Sequence, residues 1–274
     1  AAPPHEFPLP EPPAGAAVPA LPENTTAKVA TLSIPVVPPP PVLPAGHKPQ
    51  IAIVIDDMGL SQSGSRRAIN LPGFVTLSFL PYAERLEEQA AAAQDKGHEL
   101  MLHMPMEPVG PQHPGPGGLF VNQSADEIRR RFVRALDSFE GFDGMNNHMG
   151  SKFTAYAPGM EIVMEEIDRR RLFYLDSRTG PKSVGEAVAR RHGLPVLGRD
   201  VFLDDSLSPH AVRAQLDATE RVARRKGYAI AIGHPHDVTL AALESWIPDA
   251  ERRGFVFVPV RELLKNGLVQ VKGP

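Results

Sequence analysis

IAIVIDDMG, residues 51–59, decides how this 274-residue chain folds. Its first five residues are all apolar and four of them are β-branched, so the run has no polar face. Such a run reads as a strand buried on both sides, the kind found in parallel sheets covered by helices. It ends at Asp56-Asp57. Comparable runs follow at VTLSFL (75–80), ELMLHM (99–104), FYLDS (173–177), VFLDD (201–205), YAIAIG (228–233) and FVFVPV (255–260), with a further strand ending in GMNNHMGSKFT (144–154). Helical patterns fill the intervals at 84–96, 159–171, 183–192, 210–226 and 239–253, the last with a potential break at Pro248. Ser124 and Glu127 form an S-x-x-E capping pattern that opens another helix toward Phe139. Ser208 and Pro209 supply the cap and first position of the helix over 210–226. Strands alternating with helices imply βα units and a mainly parallel sheet, so the expected fold is α/β, an irregular (β/α) barrel of about seven strands, with an open doubly wound sheet as the alternative.

Outside that region the texture differs. Residues 1–49 hold 15 of the 30 prolines, which fix φ and remove amide donors. This stretch is expected to be a disordered linker, followed by a catalytic domain over 50–268 and a short tail over 269–274. The chain starts at Ala1 and reads as a mature form, compatible with an N-terminal membrane anchor upstream. No apolar run approaches the roughly 18–20 residues that span a bilayer. A net charge of −3 gives no electrostatic footprint for nucleic acid. With no cysteine, any metal must be held by His, Asp or Glu.

In a parallel α/β fold, functional groups gather at the carboxyl ends of the strands. Those ends carry Asp56 and Asp57; His103, with Glu107 after it; Asn146, Asn147 and His148; Asp176 and Arg178; Asp204 and Asp205; and His234 and His236 in GHPH. Singly, each has a bland explanation. Paired aspartates serve turns and helix caps, and a lone strand-end histidine is commonly a hydrogen-bonded core residue. As a set at one rim they have the composition of a metal site. Imidazoles and carboxylates hold Zn²⁺ or a similar ion with one position left for water, whose pKa the ion lowers to about 7. Successive strand side chains alternate faces, so Asp56 and Asp57 are expected to diverge, one toward a metal and the other acting as base. The arginines at 129–131 are expected on a solvated helix face, and Trp246 and Phe255 in the core.

Together, VIDDMG (54–59), KGHELMLHMPME (96–107), NNHMGSKFT (146–154), FYLDSRT (173–179), RDVFLDD (199–205) and AIGHPHD (231–237) resemble the divergent polysaccharide deacetylase family, over about residues 50–268. The resemblance implies an irregular (β/α) barrel and metal-dependent deacetylation of a polysaccharide or peptidoglycan-like glycan outside the cytoplasm, in the periplasm. It implies Asp56 as catalytic base and Asp57 as metal ligand, His103 as a second ligand, and His234 as general acid. The superfamily's second histidine ligand falls here on Glu107. His148 is the replacement ligand this suggests, with Glu107 as competitor, and the ion implied is Zn²⁺. Glu107, Asn147, Asp176, Arg178 and His236 are the expected substrate-binding groups, and Arg178 and Arg199 the candidates for an arginine that orients the base. The departure at Glu107 leaves a second reading, a glycan-binding module with little or no turnover.

Overall fold

The computed structural model describes residues 48–265. Apart from Lys48 and Pro49, the expected linker lies outside the described residues, as does the expected tail over 269–274. In chain order the elements are β1 (Gln50–Met58), α1 (Gln62–Ile69), β2 (Thr76–Phe79), α2 (Leu86–Asp95), β3 (Glu99–Met106), α3 (Ala125–Leu136), β4 (Gly144–Met149), α4 (Ala157–Arg169), β5 (Phe173–Asp176), α5 (Gly185–Arg191), β6 (Val196–Gly198), β7 (Val201–Phe202), α6 (Pro209–Lys226), β8 (Tyr228–Gly233), α7 (Asp237–Arg252), β9 (Val256–Phe257) and α8 (Val260–Lys265). Every strand pair is parallel. The order is β6-β5-β4-β3-β2-β1-β8-β7, with β9 beside the start of β1. The edge strands β6 and β7 are separated in sequence only by Arg199 and Asp200, so the two ends of the sheet path come together and the sheet curls. This is the expected α/β barrel, with nine strands among the described residues in place of about seven.

The additional strands are short. FVFVPV contributes only Val256–Phe257 to the sheet, because Pro259 has no N–H to donate and the chain turns into α8. Helix α1 went unanticipated: QSGSRRAI is mostly polar, and it is started by Ser61, whose side chain accepts from the Gly64 amide. The expected caps of α3 and α6 are present, with Ser124 accepting from Glu127 N and Ser208 from Ala211 N. Helix α7 runs through Pro248 without interruption.

Side-chain parity fixes which residues face the inside of the curl. Along β1, Ile51, Ile53 and Ile55 pack outward against the helices, whereas Ala52 and Val54 belong to a separate inner cluster. Met101 of β3, Phe173 and Leu175 of β5, and Ile230 and Ile232 of β8 share that inner cluster. Val260 and Leu263 of α8 close its lower end. There Glu99, at the start of β3, accepts from Thr76 Oγ1 and the Val260 amide at 2.7 Å each, and from the Arg261 amide at 3.0 Å. Fully burying a side chain such as Ile, Leu or Phe stabilises by about 1.5–3 kcal/mol, so the inner cluster anchors a rigid floor beneath the opposite, carboxyl end.

Candidate active site

Continuing the inner parity by two residues along each strand, past Val54, Met101 and Ile232, gives Asp56, His103 and His234. All three line a cleft of about 470 Å³ at the carboxyl ends of the strands, with Asp57, His148 and Arg199 also in its walls. Asp57 reaches the cleft by a different route. Counting alone would send it to the outer face, away from Asp56. The β1–β2 register slips instead, with Ile55 opposite Leu77 and Met58 opposite Phe79, so β1 carries one extra residue there. Asp57 takes φ 55°, a left-handed conformation unusual for a non-glycine residue. The expected divergence of the two aspartates therefore does not occur: the bulge re-aims Asp57 into the same cleft as Asp56. Met149 and Arg178, at the ends of β4 and β5, are also left-handed at φ 51° and 50° and also line the cleft. Local strain of this kind concentrates at functional sites.

Asp57, His103 and His148 converge. Asp57 Oδ1 lies 2.8 Å from His148 Nδ1 and 3.3 Å from His103 Nε2, and the two imidazole nitrogens are 3.2 Å apart. Ligand atoms held 2.0–2.1 Å from a tetrahedral ion lie roughly 3.3 Å apart, so this triangle fits one cation. Asp57 Oδ1 is buried without an aligned hydrogen-bond donor, which a cation would satisfy. The donor set of two imidazoles and one carboxylate suits Zn²⁺. Burial opposes the Asp57 charge, but contacts with His103 and His148 outweigh it and hold the carboxyl well below the usual carboxylate range. Burial lowers the His103 pKa, yet Asp56 and Asp57 leave it raised overall. A bound cation would take the place of the His103 proton in that carboxylate field.

Asn146, fully buried on β4, organises the cluster. Its Oδ1 accepts from Ser78 Oγ at 2.6 Å and from His103 Nδ1 at 2.7 Å, while its Nδ2 donates to Asp56 Oδ1 at 2.8 Å. Because Nδ1 of His103 donates to Asn146, Nε2 is the nitrogen that faces Asp57 and His148, and its lone pair is open to a cation that displaces its proton. Asp56 Oδ2 is 3.7 Å from His103 Nε2. Burial raises the Asp56 pKa, partly offset by the charges of His103 and His234. On the opposite wall, His234 Nδ1 pairs with Asp204 Oδ1 at 2.9 Å, and Asp204 Oδ2 accepts from the His234 amide and Thr239 Oγ1. Burial disfavours the imidazolium, but Asp204, Asp56 and Asp57 push its pKa up to about 9. These carboxylates favour the protonated ring. His236 occupies the N-cap position of α7 without a side-chain capping bond, its ring 5.8 Å from that of His234, and its ligand atoms come near those of Asp204 and His234 to form a second His/Asp group.

Other predicted residues take different positions. Glu107 stands apart from the cluster, its carboxylate engaged by Lys152 Nζ at 2.7 Å and the Val121 amide at 2.8 Å. Asn147, one step out of parity with Asn146, accepts from Tyr174 Oη of β5 and from Ser177 N in the loop after it, and donates to Thr179 Oγ1 and to the Met149 carbonyl of its own strand, although its edge lines the cleft. Asp176 is buried and accepts from Arg178 N and Ser183 Oγ. Arg178 lines the cleft and pairs with Glu186. Arg199 donates to the Ser177 and Arg178 carbonyls and lies over Phe202, 5.0 Å from its centroid. The sequence reading gave no role to Asn146, Ser78 or Asp204 as partners of the site. Past Arg178 and Thr179 the cleft opens into a second depression of about 550 Å³ walled by Asp176, Ser183 and Glu186.

Comparison with known proteins adds a family. Residues 53–264 match the model described as divergent polysaccharide deacetylase. The uncharacterized protein YibQ of Escherichia coli (strain K12) is 36% identical over 198 residues, which cover 72% of this chain and 62% of that protein, so the match spans less than two thirds of that relative's length. The crystal structure of uncharacterized protein ATU2773 from Agrobacterium tumefaciens C58 is 32% identical with a TM-score of 0.77, covering 82% of this chain and 92% of that one. The catalytic domain of a peptidoglycan N-acetylglucosamine deacetylase from Eubacterium rectale ATCC 33656 shares the fold at a TM-score of 0.50 and 14% identity, over 83% of this chain and 94% of that one.

Proposed function

Because the chain belongs to the divergent polysaccharide deacetylase family, we propose that it is a zinc-dependent hydrolase that removes acetyl groups from a cell-envelope polysaccharide, acting in the periplasm. The observation that carries this reading is the convergence of Asp57, His103 and His148 on one point, with Asp56 on one side and the Asp204–His234 pair on the other. A divalent ion held by that triad would supply a Lewis acid for the acetyl carbonyl and lower the pKa of a water in the cleft. Asp56, positioned by Asn146, accepts a proton from the attacking water. His234, charged through its pairing with Asp204, donates a proton to the departing amine or hydroxyl of the sugar. The bond broken is the acyl C–N or C–O bond, and acetate and the free sugar group leave. The polar depression beyond Arg178 and Thr179 suits a hydroxyl-rich chain running out of the cleft.

The test is acetate release from N- and O-acetylated oligosaccharides. Release is expected with the zinc-loaded protein, lost on chelation, restored by zinc, and abolished in Asp56→Asn with zinc still bound. No release from any acetylated glycan by the zinc-loaded protein contradicts the proposal. It would favour the glycan-binding module that Glu107, standing where the superfamily has histidine, left as the other reading.

A further inference from the structure

A cavity that the proposed chemistry leaves unused is lined by the β2–α2 loop, the loop after β3 and helix α3. It has a volume of about 320 Å³, and its walls are Tyr82, Pro81 and Pro116 on one side and Arg130, Arg131 and Arg134 on the other. The spacing of Glu127, Arg130, Arg131 and Arg134 puts all four on one face of α3. Glu127 does not complete the capping box that Ser124 begins; its carboxylate pairs with both Arg130 and Arg131. Arg131 also reaches the Gly118 carbonyl at 3.4 Å, which ties the helix to the opposite wall. Arg134 has no hydrogen-bond or ion-pair partner among the described residues. One carboxylate thus faces three guanidinium groups. The arginines expected together on a solvated face are divided, because Arg129 turns away to pair with Glu165 and Glu166 of α4.

The cavity adjoins the catalytic groups through Tyr82. The Leu80 amide donates to the Met58 carbonyl at 3.2 Å, next to Asp57, and Ala83 packs against Gly59 so closely that a Cβ there would collide. Two residues past Leu80, Tyr82 lays its ring against Gly115 in the loop after β3, again leaving no room for a Cβ. A flat, half-buried aromatic face flanked by prolines is a surface on which a sugar ring packs. A free guanidinium beside it is a bidentate donor for a carboxylate or a phosphate.

We propose that Tyr82 and Arg134 form an anion subsite, which recognises a carboxylate or phosphate carried by the glycan next to the sugar whose acetyl group lies in the cleft. This deepens the hydrolase reading and rests on it for the direction of the chain. The test is calorimetric binding to the Asp56→Asn protein, so that no turnover intervenes, with three probes of equal length. These are a neutral N-acetylglucosamine oligomer, a carboxylate-bearing oligomer alternating N-acetylglucosamine with N-acetylmuramic acid, and a phosphorylated N-acetylglucosamine oligomer. One acidic probe is expected to bind at least about tenfold tighter than the neutral one, and which one does so identifies the anion. Arg134→Ala should remove that advantage and Arg134→Glu reverse it, with neutral-probe affinity and zinc content unchanged. Equal affinity for all three probes, binding of none of them, or an acidic preference that survives Arg134→Glu overturns the subsite. Arg134-dependent binding without acetate release from the same glycan by the parent protein overturns the hydrolase reading and leaves the subsite standing.

Discussion

Replacing Asn146 separates metal holding from proton transfer. Its side chain makes three bonds in a fully buried position, accepting from Ser78 and His103 and donating to Asp56. In Asn146→Ala, His103 loses the acceptor that fixes its tautomer. Loss of such a partner typically weakens metal affinity by about 10–100-fold, or roughly 1.4–2.7 kcal/mol. Three polar atoms also lose their partner, each orphan costing about 1–3 kcal/mol. Water entering the vacated space relieves part of that cost, so the folded state should lose about 2–4 kcal/mol.

Asn146→Asp acts differently. It keeps an acceptor for His103, so zinc affinity should stay within about threefold of the parent by the same reasoning. It also sets a second carboxylate where an amide stood 2.8 Å from Asp56 Oδ1. Two such carboxylates share a proton, which removes Asp56 as a free base. Competition with a chromophoric chelator measures zinc, chemical denaturation measures stability, and acetate release measures turnover. The expected pattern is weak zinc binding for the alanine variant, and intact zinc binding without turnover for the aspartate variant. Parent-like zinc affinity in Asn146→Ala would refute the idea that Asn146 sets the His103 tautomer for metal binding.

Two further outcomes follow from titrating groups. In metal-free protein the His234 imidazole should titrate near pH 9 by NMR, its ion pair with Asp204 stabilising the fold below about pH 6.5 and being lost as pH rises through 9. Asp204→Asn should bring the midpoint down, and an unchanged midpoint would assign the shift to another cause. Glu99 is pushed by burial up to about 7 from 4.5, so the folded state holds its proton more tightly than the unfolded one. Stability should therefore fall as pH rises from about 4.5 to 7, by about 3 kcal/mol from this group alone. Glu99→Gln should flatten that part of the urea-unfolding profile, and a slope unchanged in the variant would show that another group sets it.

Much of this was legible in the residues. The apolar runs ending in Asp, His or Asn gave the parallel sheet and the rim on which polar groups gather, and alternation in Ala52-Val54-Asp56 and Met101-His103 gives the inner face. Parity also accounts for Asn147 and Asp176, which lie one step out of phase and bond to the chain around β5. Three features escaped. The bulge that brings Asp57 to the proposed metal triad depends on pairing register with β2, a long-range relation that a single strand does not encode. The engagement of Glu107 depends on Lys152 and on the Val121 amide, which only the folded loops bring together. Helix α1 was missed because it is mostly polar and its start rests on one serine.

The account turns on a single cation held by Asp57, His103 and His148. X-ray absorption at the zinc edge, on protein loaded with one equivalent of zinc, reads that coordination directly. The expected spectrum has about four nitrogen or oxygen neighbours at 2.0–2.1 Å, with the outer-shell signature of two imidazoles. In His103→Ala and in His148→Ala that signature should fall to one imidazole. A parent spectrum of zinc surrounded by water oxygens, or one that neither substitution alters, would contradict the account.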